Sequence, residues 1–382
     1  MRDKAYTQTD RQTDRQTDRQ TDRQTDRQTD GQRLYGLDLF RIFAAFMIFA
    51  FHGASHQLHL SFGIFNNFIS MGAIYMTGFF MLSGFVLYYV HGQRDTLSLD
   101  NLKRFYWKRF ATIVPIYWAI YLLYMIFSSQ ETWKQNLILF PVEIQGLQSI
   151  FPATFSLTHN GGTWFISCIL FAYLFYPFLA NTIRQMSMRQ CIILLVILSA
   201  NLLFAPFYVW GLHLPSIYDN PIIRLMEFTI GIILAEVWRK AIQGEPAVHM
   251  LTKLASWYLL AAEMLVLIVA VSMAVYLHIG LGNFLLYSWI ALPLFTLQIF
   301  TLAGLDAVFL HSRIVQYASA VSYAFFLAQF FVWQLADAFF SWIGITQNLL
   351  QIVLSFLLCF AISVLLHELV EVPAKRFLLR RR

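Results

Sequence analysis

Three ionisable side chains, Asp38, Arg41 and His52, fall within one apolar run near the start of the chain. A charge at mid-membrane costs roughly 2.5–3.5 kcal/mol on insertion scales, so such residues need a reason to be there. The eleven positions from Arg41 to His52 bring a helix back to within about 20° of the same direction, and Asp38 lies about 60° from Arg41 around the axis. All three therefore share one helix face, with Arg41 and His52 about 16 Å apart along the axis. An acid–base pair sits toward one end of this face and an imidazole toward the other. Imidazole is a general base at neutral pH without large tuning, which makes His52 the first catalytic candidate. Asp38 has two readings, a catalytic companion or simply the ion-pair partner of Arg41. His52, His56 and His59 follow at i, i+4 and i+7, a spacing that can hold a metal. No acidic ligand adjoins them, so solvated interfacial histidines are the better account and no metal site is expected.

Those residues must be positioned by membrane-spanning helices. Hydrophobic residues make up 58% of the chain and charged residues 13%, with a mean hydropathy of +0.57. A soluble domain carries roughly 25% charged residues. Runs of the length needed to cross hydrocarbon, roughly 20 residues, recur from Leu37 onward. The expected fold is an all-α bundle of about ten transmembrane spans, near 37–55, 68–90, 110–128, 164–183, 190–207, 222–238, 256–278, 283–303, 314–340 and 346–369. The net charge of +6 does not argue for nucleic acid, because the basic residues lie between the apolar runs rather than on one surface. With both termini cytoplasmic, sixteen Lys and Arg residues fall in inner loops and the C-terminal tail, against Lys134 alone outside. The positive-inside rule selects that orientation and a multi-pass inner (cytoplasmic) membrane protein. Cys168, Cys191 and Cys359 fall inside spans and show no metal or disulfide spacing.

Residues 1–33 read as a separate, disordered tail, and 34–382 as the membrane domain. Residues 7–30 repeat Thr-Asp-Arg-Gln, polar throughout and unable to bury a core. The codons ACA-GAC-AGA-CAG encode that string and are one tetranucleotide read three times. A slipped unit would shift the frame, so the tail is a candidate product of a switching tract. The longest outer segment, 129–163, is rich in apolar residues but broken by Pro141, Pro152 and Asn160-Gly161-Gly162. It is expected at the interface rather than as a projecting domain. No soluble catalytic domain follows the last span, so the chemistry falls to the membrane part.

The motifs then form an ordered series. Leu37-Asp38-Leu39-Phe40-Arg41, with His52 beyond, resembles the first helix of acyltransferase family 3 membrane proteins. Phe79-Phe80-Met81-Leu82-Ser83-Gly84-Phe85 resembles their second-span motif. Phe105-Tyr106-Trp107-Lys108-Arg109, running to Pro115-Ile116-Tyr117-Trp118, resembles their basic loop and third span. Thr163-Trp164-Phe165-Ile166-Ser167, continuing to Tyr173 and Pro177, is similar to the Trp-centred fourth-span motif. Arg224 to Phe228 with Gly231, Val321 to Ala324 with Leu327, and His367 to Phe377 resemble three later segments. The resemblance covers residues 34–382 in order.

It implies transfer of an acyl group, commonly acetyl from acetyl-CoA, to a hydroxyl of a surface or lipid-linked carbohydrate. CoA is then a co-substrate, with no bound cofactor. The residue matching His52 is implied as the base, and the one matching Arg41 as a donor ligand. The anionic donor would meet Arg41, Arg104, Lys108 and Arg109. Topology explains the three loop cations equally well. Trp164, Arg224, Glu227 and Tyr323 are acceptor or structural candidates, and Arg224 and Glu227 can simply pair at i, i+3. Ser83-Gly84 reads as small residues for close helix approach rather than as a nucleophile site. The chain departs from the family pattern at Thr112, Gly162, Ile169 and Gln329, which places it in a divergent branch. A transporter of a lipid-linked sugar or small anion, with Arg41, His52 and Glu227 lining its path, is the rival reading. Transporters often show internal repeats, and no convincing duplication is evident. A non-catalytic scaffold leaves the first-helix face unexplained. Lipid is the expected surrounding partner, and nucleic acid is not a partner.

Overall fold

The computed structural model describes residues 33–55, 69, 72–95, 97–127, 132–151, 158, 161–213, 217–244, 246–276 and 289–380. The Thr-Asp-Arg-Gln repeat, His56 and His59 lie outside the described residues. Every regular element among those described is helical. In chain order these are α1 (Tyr35–Ser55), α2 (Tyr75–His91), α3 (Leu99–Phe127), α4 (Trp133–Ile144), α5 (Trp164–Gln185), α6 (Met188–Leu203) and the short α7 (Ala205–Gly211). They continue with α8 (Pro221–Gly244), α9 (Pro246–Tyr276), α10 (Ala291–Gly304), α11 (Arg313–Ile343), α12 (Asn348–Leu366) and α13 (Val372–Arg380).

Among the described residues, six segments are long and apolar enough to cross a membrane: Tyr35–Gly53, Gly72–His91, Leu99–Phe127, Gly161–Gln185, Arg313–Ile343 and Asn348–Arg380. The other four expected spans coincide with helices that fall short for separate reasons. Helices α6 and α10 have 16 and 14 residues, below the roughly 20 that hydrocarbon requires. Helix α8 carries Arg224, Glu227, Glu236, Arg239 and Lys240. The apolar stretch found within α9 is confined to Trp257–Ala270.

Local chemistry sets several helix ends. Ser187 and Gln190 form a capping box at α6, as do Thr132 and Gln135 at α4. Gly344 ends α11 in the left-handed region, at φ 72°, where a glycine carries no steric penalty.

The core is centred on α2, which lies against α8. A Cβ at Gly84 would stand 2.0 Å from the Phe228 carbonyl oxygen, and one at Gly231 would stand 1.9 Å from that of Met81. Two glycines thus let the backbones touch, the small-residue role expected of Ser83-Gly84. Around this seam pack α1, α5, α10 and α11, with Phe80, Phe85, Phe228 and Phe295 fully buried. Helix α4 folds back on α3: Tyr117 donates to the Glu143 carbonyl, and Trp118 Nε1 donates to that of Ile144 at 2.8 Å. Its exposed side carries Trp133, Leu137, Ile138 and Phe140, which suits a helix lying in the interface.

Candidate active site

The Asp38 end of α1 is pinned before any ligand is considered. Asp38 is buried and accepts hydrogen bonds from Ser319 Oγ of α11 at 2.7 Å and from Arg33 Nε at 2.9 Å. Arg33, assigned from sequence to the tail, is therefore engaged by the helical body, and it also donates to Gln316 at 3.3 Å. Arg41 is the looser partner, 3.4 Å from Asp38, beyond the usual range of a charge-assisted bond. Serine and Arg33 satisfy the buried carboxylate, and Arg41 is left available on its other side.

That side is a cavity of about 250 Å³ lined by Arg41, by Ser83 and His91 of α2, by Arg109 of α3 and by Tyr173 of α5. Three aliphatic side chains of α2, Val86, Leu87 and Val90, complete it, and no carboxylate is among the lining. The Arg109 guanidinium stands 5.7 Å from the Phe105 ring centroid and 5.8 Å from that of Tyr173. Among the described residues it makes no ion pair with a carboxylate. Arg94 and Lys108 are close enough to act electrostatically on His91. Four helices thus converge on a small positive cavity without an internal counter-ion, a setting suited to phosphate oxygens.

Of the four expected donor residues, Arg41 and Arg109 line this cavity and Lys108 stands beside it. Arg104 is exposed on α3 and outside the lining. Ser83, His91 and Tyr173 were not singled out as donor-site residues by the sequence reading. Ser83, Leu87, Val90 and His91, at i, i+4, i+7 and i+8, share one helix face, but which helices that face meets is set by packing rather than by spacing.

His52 lies at the other end of α1, about 16 Å from Arg41 and about 21 Å from Asp38 at 1.5 Å per residue. The structure does not bring Asp38 to His52. The imidazole is partly buried and meets the Phe330 ring edge-on, with centroids 4.8 Å apart, beside Phe51 at 5.4 Å. Phe330 also faces Gly161, where a Cβ would lie 3.5 Å from its ring. The glycine turn before α5 thus belongs to the surroundings of His52.

Trp164, Arg224 and Glu227 are brought together in one buried knot. Arg224 donates to both Glu227 oxygens at 2.9 and 2.7 Å, to Thr77 Oγ1 at 3.2 Å and to the Tyr218 carbonyl at 2.7 Å. Its guanidinium lies 5.5, 5.3 and 5.1 Å from the rings of Phe80, Trp164 and Tyr218. Thr77 donates in turn to Glu227 at 2.9 Å. A pair this completely satisfied ties α8 to α2 and α5 and serves structure first. Tyr323 lies elsewhere, donating to the Ile113 carbonyl at 3.2 Å and so joining α11 to α3.

An acyltransferase-domain family, acyltransferase family 3, matches residues 34–368. The chain belongs to this family. It is 27% identical over 246 residues to the acyltransferase MdmB of Streptomyces mycarofaciens, a match covering 56% of this chain and 60% of that protein. The chain thus spans about three fifths of that relative's length. No solved structure matches. The matched family is described as an acyltransferase domain, and the apolar helices suit a membrane protein. The acyltransferase family 3 pattern also locates this chain's departures. Thr112 turns its hydroxyl back to the Lys108 carbonyl at 2.8 Å, and Gln329 is buried, donating to the Phe326 carbonyl at 2.9 Å. Ile169 is buried in the core.

Proposed function

We propose that this protein moves an acyl group, acetyl in the first instance, from cytosolic acyl-CoA to a hydroxyl of a cell-surface or lipid-linked carbohydrate. The observation that carries the reading is the cavity where Arg41 and Arg109 meet without a carboxylate in its lining. The chain crosses the inner membrane about ten times with both termini cytoplasmic, the orientation supported by sixteen inner basic residues against one outer. The cavity then faces the compartment that supplies CoA, and its cations meet the donor's phosphates. CoA enters as a co-substrate and the protein holds no cofactor of its own.

His52 takes the proton of the acceptor hydroxyl. The hydroxyl oxygen attacks the thioester carbonyl, the carbon–sulfur bond breaks, and CoA leaves as a thiolate that is reprotonated. Donor phosphates at Arg41 and a reacting carbonyl near His52 are about 16 Å apart along α1, a separation the extended pantetheine arm bridges. Transfer is thus divided between a binding end and a chemical end of one helix.

Labelled acetyl-CoA supplied to proteoliposomes containing the protein and a carbohydrate acceptor should yield labelled, alkali-sensitive ester on the carbohydrate. Movement of a labelled sugar or anion across the bilayer without ester formation would contradict this reading and favour a transporter.

A further inference from the structure

A second hollow adjoins the donor cavity and shares two of its walls. It is a groove of about 650 Å³ between α3, α4 and α5, and Arg109 and Tyr173 line both spaces. Its floor is apolar: Phe110, Val114 and Trp118 follow one face of α3, and Leu170 and Leu174 face them from α5. Leu174 is 54% exposed and Trp118 37% exposed, so the groove opens sideways, toward hydrocarbon once the helices are in a bilayer. Hydrogen bonds clamp it at both ends. Tyr106 Oη donates to the Leu174 carbonyl at 2.9 Å, and Trp118 Nε1 donates to that of Ile144 at 2.8 Å.

Both charges lie in the half of the groove nearer Lys103. Lys103 and Arg109 are the charged residues of the lining, and it contains no Asp or Glu. From Lys103 to Trp118 the groove extends about 22 Å at 1.5 Å per residue. Half of a roughly 30 Å hydrocarbon core is about 15 Å, so one acyl chain of a single leaflet fits along it. Anionic headgroups concentrate where Lys and Arg flank a span.

We propose that this groove is a binding site for one acyl chain of an anionic glycerophospholipid, with its phosphate held by Lys103 and Arg109. A tail reaching the groove from the donor cavity would have to pass the Arg109 guanidinium, which lines both spaces, at a cost that a lipid arriving from the side avoids. The bound phosphate then engages Arg109 from the groove while the donor engages it from the cavity, which couples the lipid environment to donor binding.

The test uses full-length protein in phosphatidylcholine nanodiscs doped with phosphatidylglycerol bearing a photoactivatable tail. Crosslinks should map to Phe110, Val114, Leu170 and Leu174. Lys103→Gln should reduce them about fivefold, the effect of one basic residue at an anionic surface, and Leu174→Trp should remove them by filling the groove. Should Leu174→Trp fail to fold, the exposed Lys103→Gln decides alone. Equal labelling by a phosphatidylcholine probe would overturn the proposal, since it would mark ordinary boundary contact. Displacement of the label by long-chain acyl-CoA would also overturn it, by assigning the groove to the donor's own tail. Neither result depends on acyl transfer, so failure here is separable from failure of the enzymatic reading.

Discussion

At the scale of single residues, cations in similar surroundings divide by whether a carboxylate already holds them. Arg224 is matched to Glu227, and Arg239 and Lys240 to Glu236 at 2.6 and 3.1 Å. Arg109 has aromatic faces instead, and Arg41 has one long contact with Asp38. A matched pair holds structure and an under-matched cation invites an anion, so the two groups should fail differently when mutated. Arg41→Ala should weaken CoA binding about ten- to a hundredfold, the worth of a hydrogen bond to a charged group. Arg41→Lys should recover only part, because the planar fork is lost. Isothermal titration of CoA into solubilised protein checks both. Arg224→Leu should instead cost about 3–5 kcal/mol of stability by stranding Glu227. The double variant Arg224→Met, Glu227→Leu should recover most of that loss in thermal unfolding. A well-folded Arg224→Leu protein that no longer takes its carbohydrate would assign Arg224 to the acceptor.

At the scale of elements, the seam between α2 and α8 holds the bundle, and its tolerance for added atoms is small. Gly84→Ala places a methyl group against the Phe228 carbonyl. It should lower stability by about 1–3 kcal/mol, the usual cost of overpacking, readable as an earlier unfolding midpoint in detergent. The close approach at Gly84 was legible in the sequence, because small residues within apolar runs signal it, but its partner α8 was not. Also legible was the shared face of Asp38, Arg41 and His52, since helical period fixes direction within one helix. What lay beyond reach were partners set by which helices become neighbours. Ser319 is 281 positions from the Asp38 carboxylate it satisfies, and nothing along the chain links the two. His91 and Tyr173 likewise become cavity walls only when α2 and α5 face α1 and α3. Span lengths were legible where helices are long, and less so at α6, whose helix is shorter than the span expected there.

At the scale of the whole molecule, the account requires a defined orientation and a dispensable tail. Reporter fusions after Arg109, Lys240 and Arg382 should read cytoplasmic, and fusions near Pro152 and Asp219 external, because the basic loops stay inside. An external C-terminus would detach the cationic cavity from the CoA supply. A chain restarted at Arg33 should insert and work normally, since it keeps the Arg33–Asp38 bridge at 2.8 Å and loses only the polar repeat. The central claim is that one helix binds the donor at Arg41 and performs proton transfer at His52. Its most direct test is His52→Ala, measured for CoA affinity and for acyl transfer on the same preparation. CoA affinity should be unchanged and transfer slowed about 10²–10⁴-fold, about 3–5 kcal/mol of transition-state stabilisation. Near-normal acylation by His52→Ala would contradict the claim.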